Sequence, residues 1–243
     1  MSVLIILGID TSGKTASVAV CSENAVLAQT SVLTRLTHSQ VIMPICTEVL
    51  RNAGIGLNDV DAMAVSNGPG SYTGLRIGVS AVKAMSFALN KKCVGISTLE
   101  SLAYNMRGFK GVVCTVMKAR ADLMYTAFFT SYKDVITRIF DDTILPEADI
   151  VSRIKGYHGE IVLVGDAAEE LYQNNSFAET ENVTLAPPHL RLQLASSLCY
   201  ASYEKQFGPA DGLNAEYLQQ TKAEKDLEQK HACFNAEFVM HNY

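Results

Sequence analysis

Asp10 is the first residue placed where it could do chemistry. It follows an apolar run over residues 3–9 and precedes Thr11, Ser12 and Gly13. A carboxylate at a strand end can hold the water shell of a magnesium ion. Short side chains after it leave backbone N–H groups open to an oxyanion. The same Asp-Thr-Ser pattern also makes a purely structural turn. The residues leave both readings open, so Asp10, Thr11 and Ser12 stand as a candidate nucleotide loop. Lys14 is set aside as lacking the context of a P-loop.

Other reactive residues form no constellation. The cysteines, at 21, 46, 93, 114, 199 and 233, include no CxxC pair and fall mostly in apolar stretches. They read as reduced, buried thiols of a cytoplasmic protein, not as a disulfide framework or zinc site. The histidines, at 38, 158, 189, 231 and 241, show no ligand spacing. There is no HExxH and no Gly-x-Ser-x-Gly elbow. No catalytic residue and no metal ligand is therefore assigned. Asp141-Asp142 and Glu169-Glu170 read as solvated turns or helix starts, and Gly165-Asp166-Ala167 as a strand end that caps a helix.

The elements that must position Asp10 are organised around residues 66–90, SNGPGSYTGLRIGVSAVKAMSFALN. A glycine-rich turn over 67–74 follows an apolar strand at 61–65. It leads into a helix expected over 75–89. Leu75, Val79, Val82, Met85 and Leu89 share one apolar face; Ile77, Ala81, Ala84 and Ala88 lie largely on another. Only Arg76, Ser80, Lys83 and Asn90 form a polar strip. A helix that is apolar nearly all round is covered on two sides. The second cover is either another helix of this chain or another protein, and the pattern does not choose between them.

Strands are expected over 3–9, 15–21 and 25–32. A helix over 37–52 follows, with Val41, Ile42, Ile45, Cys46, Val49 and Leu50 as its core stripe. Gly54 suits its C-terminal cap, and Pro44 should kink it or mark a late start. A short strand over 93–96 and a helix over 98–107 complete the first set. The second set comprises strands over 111–117, 123–132 and 135–141, a helix over 146–154, a strand over 161–164 and a helix over 167–173. A strand over 183–185 and a long helix over 190–206 end it. Both sets read βββαβαβα, dividing the chain into 1–107, 108–206 and a C-terminal segment, 207–243. Residues 221–230 are a charge-mixed run, the mark of a solvated face or tail.

With 48% hydrophobic and 19% charged residues the chain is a soluble globular protein, and its formal charge of −5 lacks the basic field of a direct nucleic-acid binder. The N-terminal apolar run has no basic segment before it, so it is not read as a signal peptide. No apolar run is long enough to span a bilayer, so no membrane partner is expected.

GPGSYTGLRIG, with Ile9-Asp10-Thr11-Ser12 before it and Ile96-Ser97-Thr98-Leu99-Glu100-Ser101-Leu102-Ala103 after it, resembles the TsaB (YeaZ) family over roughly residues 1–105. This family supplies the accessory subunit of bacterial tRNA threonylcarbamoyladenosine biosynthesis, and Glu216-Tyr217-Leu218 resembles its C-terminal Tyr-Leu element. The resemblance implies an actin-like (ASKHA) α/β fold of two tandem ribonuclease-H-like domains. It implies a non-catalytic scaffold that pairs with a TsaD-type transferase, with a TsaE-type ATPase joining them. TsaD transfers threonylcarbamoyl to the adenosine beside the anticodon of tRNAs decoding ANN codons, so tRNA is reached only through the complex. No cofactor is implied for the chain alone; ATP or ADP with magnesium belongs to the complex. The implied interface is the helix pair carrying Val41, Ile45, Val79, Val82, Met85 and Leu89, which should form a homodimer when TsaD is absent. Two departures count against independent catalysis. Lys118 stands where the family often carries an aspartate, and Thr98 and Leu102 stand where the TsaD metal histidines would be. The alternatives are an actin-like ATP-dependent kinase or ATPase and, behind it, a glycoprotease-like metallopeptidase.

Overall fold

The apolar runs become two five-stranded sheets in a computed structural model that describes residues 4–33, 36–175, 177 and 181–219. The first sheet holds β1 (Ile6–Asp10), β2 (Thr15–Ser22), β3 (Ala25–Leu33), β4 (Ala62–Gly68) and β5 (Lys92–Ser97) in the order β3-β2-β1-β4-β5. The second holds β6 (Gly111–Lys118), β7 (Leu123–Tyr132), β8 (Val135–Pro146), β9 (Ile161–Val164) and β10 (Val183–Leu185) in the order β10-β9-β6-β7-β8. These are one topology used twice: an antiparallel meander followed by two parallel strands. The helices are α1 (His38–Asn52), α2 (Tyr72–Leu89), α3 (Thr98–Tyr104), α4 (Glu147–Lys155), α5 (Ala168–Asn174) and α6 (Ala195–Ser202). Each half therefore runs βββαβαβα, the actin-like arrangement.

β1 and β9 are buried along their whole length and β6 along most of it, because helices cover both faces of each sheet. α1 and α2 pack on one face of the first sheet through Ile45, Val49, Val79 and Val82. α6 covers the other face, with Leu198 and Cys199 against Ile6 and Ala64. On the second sheet α4 and α5 cover one face and α3 the other, with Leu99 and Leu102 against Val113 and Phe129. The closing helices are thus exchanged, each half's last helix covering the other half's sheet.

α1 starts at His38 on a Thr37–Gln40 capping box and runs through Pro44, which marks no late start. It ends with Gly54 at φ 70°, a conformation glycine adopts without a Cβ penalty. The helix expected over 190–206 is confined to Ala195–Ser202. Carbonyls before it are engaged elsewhere: Asn105 Nδ2 donates to Leu190 and Leu192, both at 2.8 Å, and the Gly165 N–H donates to Arg191 at 2.9 Å. The segment from 208 is partly inside the fold. Gly208 exchanges backbone hydrogen bonds with Cys93, and Ala210 and Leu213 are buried in the first core. The charge-mixed run at 221–230, with His231, Cys233 and His241, lies outside the described residues. Among the described residues no helix is long and apolar enough to cross a membrane.

Candidate functional site

The Asp10 turn is closed. Asp10 is 0% exposed. Its Oδ1 accepts from the Ser12 N–H at 2.9 Å and the Ser12 hydroxyl at 2.6 Å, and its Oδ2 accepts from the Ser66 hydroxyl at 2.5 Å. Burial pushes its carboxyl above the usual range, against the pull of the Ser12 and Ser66 hydrogen bonds and of nearby His38. Thr11 is likewise buried and donates to the Gly74 carbonyl at 2.7 Å. The Ser12 carbonyl accepts from the Ser71 N–H at 2.7 Å.

The glycine-rich stretch lets α2 press against this turn. A Cβ on Gly74 would lie 2.0 Å from the Thr11 carbonyl oxygen, and one on Gly78 would lie 2.5 Å from Thr11 Oγ1. Ser71 caps α2 by accepting from the Gly74 N–H at 3.2 Å, so the helix begins at Tyr72, earlier than expected. The motif's glycines serve close packing here. No side chain of Asp10, Thr11 or Ser12, the expected nucleotide loop, is exposed: Asp10 accepts three hydrogen bonds and Thr11 donates to Gly74.

Gly8, Gly13, Lys14 and Thr15 do carry the P-loop spacing GxxxxGK[ST], so the glycine pattern is no ground for setting Lys14 aside. The ground is the backbone. A P-loop opens a helix with its Lys-Thr pair, whereas Gly8 lies inside β1 and Thr15 begins the antiparallel strand β2.

Beside this turn lies a cleft of about 640 Å³ between the two halves. Its walls come from the turns at 12–14, 70–72 and 117–120, together with Tyr125, Asp166 and residues 216–219; neither Asp10 nor Thr11 lines it. Lys118 is exposed and ion-paired with Glu170, which raises its ammonium pKa. Its backbone N–H donates to Asp166 Oδ1 at 2.9 Å, and Lys14 Nζ stands 3.9 Å from Asp166 Oδ2. Lys118 is thus a strand-end residue whose ammonium pairs with Glu170 of α5. Thr98 and Leu102 are both buried in the core, and no group of three or more His, Cys, Asp or Glu side chains among the described residues could hold a metal.

The expected helical interface is corrected. Val79, Val82, Met85 and Ile45 are at most 8% exposed and belong to the first core, with Val41 and Leu89 half-buried against it. They face the chain's own sheet. The outward side of α2 carries Thr73, Ser80, Ala84, Phe87 and Ala88, all exposed, with Ile77 and Ala81 half-buried beside them. Exposed Arg76 and half-buried Lys83 flank these residues, and Phe87 is 79% exposed. α1 adds exposed Met43, Pro44 and Thr47. A scan for apolar periodicity finds the core stripe, not this one; the signal was Phe87 and the alanines on a helix whose only charges are Arg76 and Lys83.

Residues 214–217 clasp the start of α2. The Glu216 N–H donates to the Asn67 carbonyl at 2.7 Å, and Asn67 Nδ2 donates to Glu216 Oε1 at 3.2 Å. Tyr217 packs on Tyr72 with ring centroids 4.8 Å apart, and Arg76 Nε donates to the Tyr217 hydroxyl at 3.2 Å.

The family model of TsaD, tRNA N6-adenosine threonylcarbamoyltransferase, matches residues 31–228. The tRNA threonylcarbamoyladenosine biosynthesis protein TsaB of Bacillus subtilis is 28% identical over 226 residues, which cover 90% of this chain and 96% of that one. Its Escherichia coli namesake is 31% identical over 163 residues, 66% of this chain and 70% of that one. Among solved structures, YeaZ from Pseudomonas aeruginosa shares the fold, with a TM-score of 0.72 at 23% identity over 90% of this chain and 100% of that one.

Proposed function

The chain belongs to the TsaB family, and on that premise we propose that it is a non-catalytic scaffold subunit of tRNA threonylcarbamoyladenosine biosynthesis. Its main partner is a TsaD-type transferase, which carries threonylcarbamoyl to the adenosine next to the anticodon. A TsaE-type ATPase joins the pair, and nucleotide belongs to that assembly. The lone chain pairs with a second copy of itself.

One observation carries the reading: the Asp10 carboxylate is sealed while the outer side of α2 around Phe87 stays open. Asp10 is wholly buried with both oxygens engaged. Thr73, Ile77, Ser80, Ala84 and Phe87 line the outer side of α2 between Arg76 and Lys83, and Phe87, 79% exposed, is the large apolar group that a partner would cover. We assign the TsaD-type contact to this stripe and to Met43 and Thr47 of α1, in place of the buried residues expected from the sequence.

The test is co-purification with the TsaD-type protein of the same source. Ala84→Glu with Phe87→Glu should abolish the complex and leave the chain folded, since both sites are exposed. The rival reading, an actin-like ATPase or kinase, draws support from the cleft of about 640 Å³ and the lysines on its walls. Phosphate release from magnesium-ATP by the isolated chain, at a rate that Asp10→Ala removes, would favour it over the scaffold.

A further inference from the structure

The cysteines among the described residues are all buried and free. Two of them are neighbours where the halves join. Cys21 lies near the end of β2, and Cys199 lies in α6, the helix that the second half lends to the first sheet. Alternation along β2 puts Ala19 and Cys21 on the face that α6 covers. The Cys199 sulfur lies 3.9 Å from the carbonyl oxygens of both Ala19 and Ile6. Ile6 is the residue directly opposite Cys21 in the ladder. Gly8, opposite Ala19, leaves room for that sulfur, because a Cβ there would stand 2.5 Å from it. One turn further on, the Tyr203 hydroxyl lies 3.1 Å from the Cys21 carbonyl oxygen, which fixes the helix over this strand. Cys199 is therefore held over the patch made by Ile6, Gly8, Ala19 and Cys21. Burial, and after it the hydrogen bond and charge of the Cys21 thiol, push the Cys199 thiol well above its usual range. Cys46, Cys93 and Cys114 are raised by burial with no other cysteine acting on them.

We propose that Cys21 and Cys199 are a redox pair that a peroxide closes to a disulfide, stapling α6 to the first sheet. One thiol gives up its proton and attacks the peroxide. The S–O bond forms, the O–O bond breaks, and the departing hydroxide takes the proton as water. The second thiol then displaces the oxygen of the sulfenic acid, which leaves as a second water while the S–S bond forms. The two sulfurs lose two electrons between them, and one peroxide gains them. Burial shields both sulfurs in the resting chain, so closure follows local opening of α6. A resolving thiol beside the sulfenic acid then traps it before further oxidation. Because residues 21 and 199 enclose most of the described fold, the crosslink removes much of the freedom of the unfolded chain. It ties the halves together at a place that lines neither the cleft nor the outer side of α2.

The test exposes the full folded chain to hydrogen peroxide, unfolds it in the presence of an alkylating agent and maps its peptides by mass spectrometry. The expected result is a crosslinked peptide joining Cys21 to Cys199, lighter by two hydrogens than the separate peptides and released by dithiothreitol. The oxidised chain should melt several degrees above the reduced one. Cys199→Ala should form no such peptide and gain no stability on oxidation, with circular dichroism verifying that it folds. The wild-type map stands without that variant. A chain that keeps both thiols free under peroxide overturns the inference. So does one that joins either thiol to another cysteine, oxidises them to sulfinic acids, or forms the crosslink with no change in melting.

Discussion

Val82 and Phe87 sit five residues apart on α2 and should answer the same substitution in opposite ways. Val82 is 0% exposed inside the first core, and Phe87 is 79% exposed. Val82→Glu forfeits about 1.5–3 kcal/mol of side-chain burial. Burying an unpaired carboxylate costs several kcal/mol more. Together these approach or exceed the roughly 5–15 kcal/mol that holds an ordinary domain folded. The Val82→Glu chain should therefore be unfolded or unfold at much lower urea. Phe87→Glu should change stability by only about 0.5 kcal/mol, as exposed sites do. If Phe87 anchors the transferase contact, its loss should cost about 2 kcal/mol of binding, roughly a 30-fold weaker complex. Urea titration followed by circular dichroism reads the first effect, and calorimetry against the transferase reads the second. A Val82→Glu chain with the wild-type midpoint would refute the orientation of α2. Unchanged affinity in Phe87→Glu would refute the assignment of its outer face.

The Asp10 turn and the glycine contacts give further tests. Because the folded Asp10 pKa lies above its unfolded value, the native state holds the proton more tightly. The wild-type chain therefore loses stability as pH rises from about 4 through the raised folded value, and Asp10→Asn removes that loss. The stability of the variant relative to wild type should climb as pH rises from about 4 in paired urea titrations; a flat difference would refute the burial argument. Gly74→Ala, whose Cβ would stand 2.0 Å from the Thr11 carbonyl oxygen, should cost about 3 kcal/mol or more. Gly212→Ala, with nothing within 4 Å of its Cβ, should stay within about 0.5 kcal/mol of wild type; equal melting shifts would show that α2 does not press on the turn.

Much of the fold was legible because hydrophobic period and turn residues are local signals. β7, β9 and β10 fall on their expected bounds, and the doubled element order follows from counting such stretches. The last helix was overextended because the bonds from Asn105 and Gly165 that hold residues 190–192 out of it come from across the fold. The candidate site was less legible. Asp10 carries the residue type that magnesium chemistry needs, and only the position of Ser66, 56 residues away, shows that its carboxylate is already engaged.

The outer face of α2 follows from an asymmetry that neither half displays alone. Each sheet has two helices on one face and a borrowed helix on the other. On the second sheet the two-helix side ends in water and is built for it: α4 carries Glu147, Asp149, Arg153 and Lys155, and α5 carries Glu169 and Glu170. Glu169 and Glu170 are ion-paired with Arg191 and Lys118. α2 occupies the position in the first half that α5 occupies in the second. It is longer, 18 residues against 7, and its charges are only Arg76, exposed, and Lys83, half-buried, beside the uncharged Thr73, Ser80, Ala84, Phe87 and Ala88. α1 next to it carries exposed Glu48 and Arg51. The first half's two-helix side is thus charged at its flanks and uncharged along the line through Ala84 and Phe87, which is where the proposed transferase contact lies. The clasp at Asn67, Tyr72 and Arg76 fixes the start of α2, so this face is held in place before any partner arrives, and binding need not pay to order it.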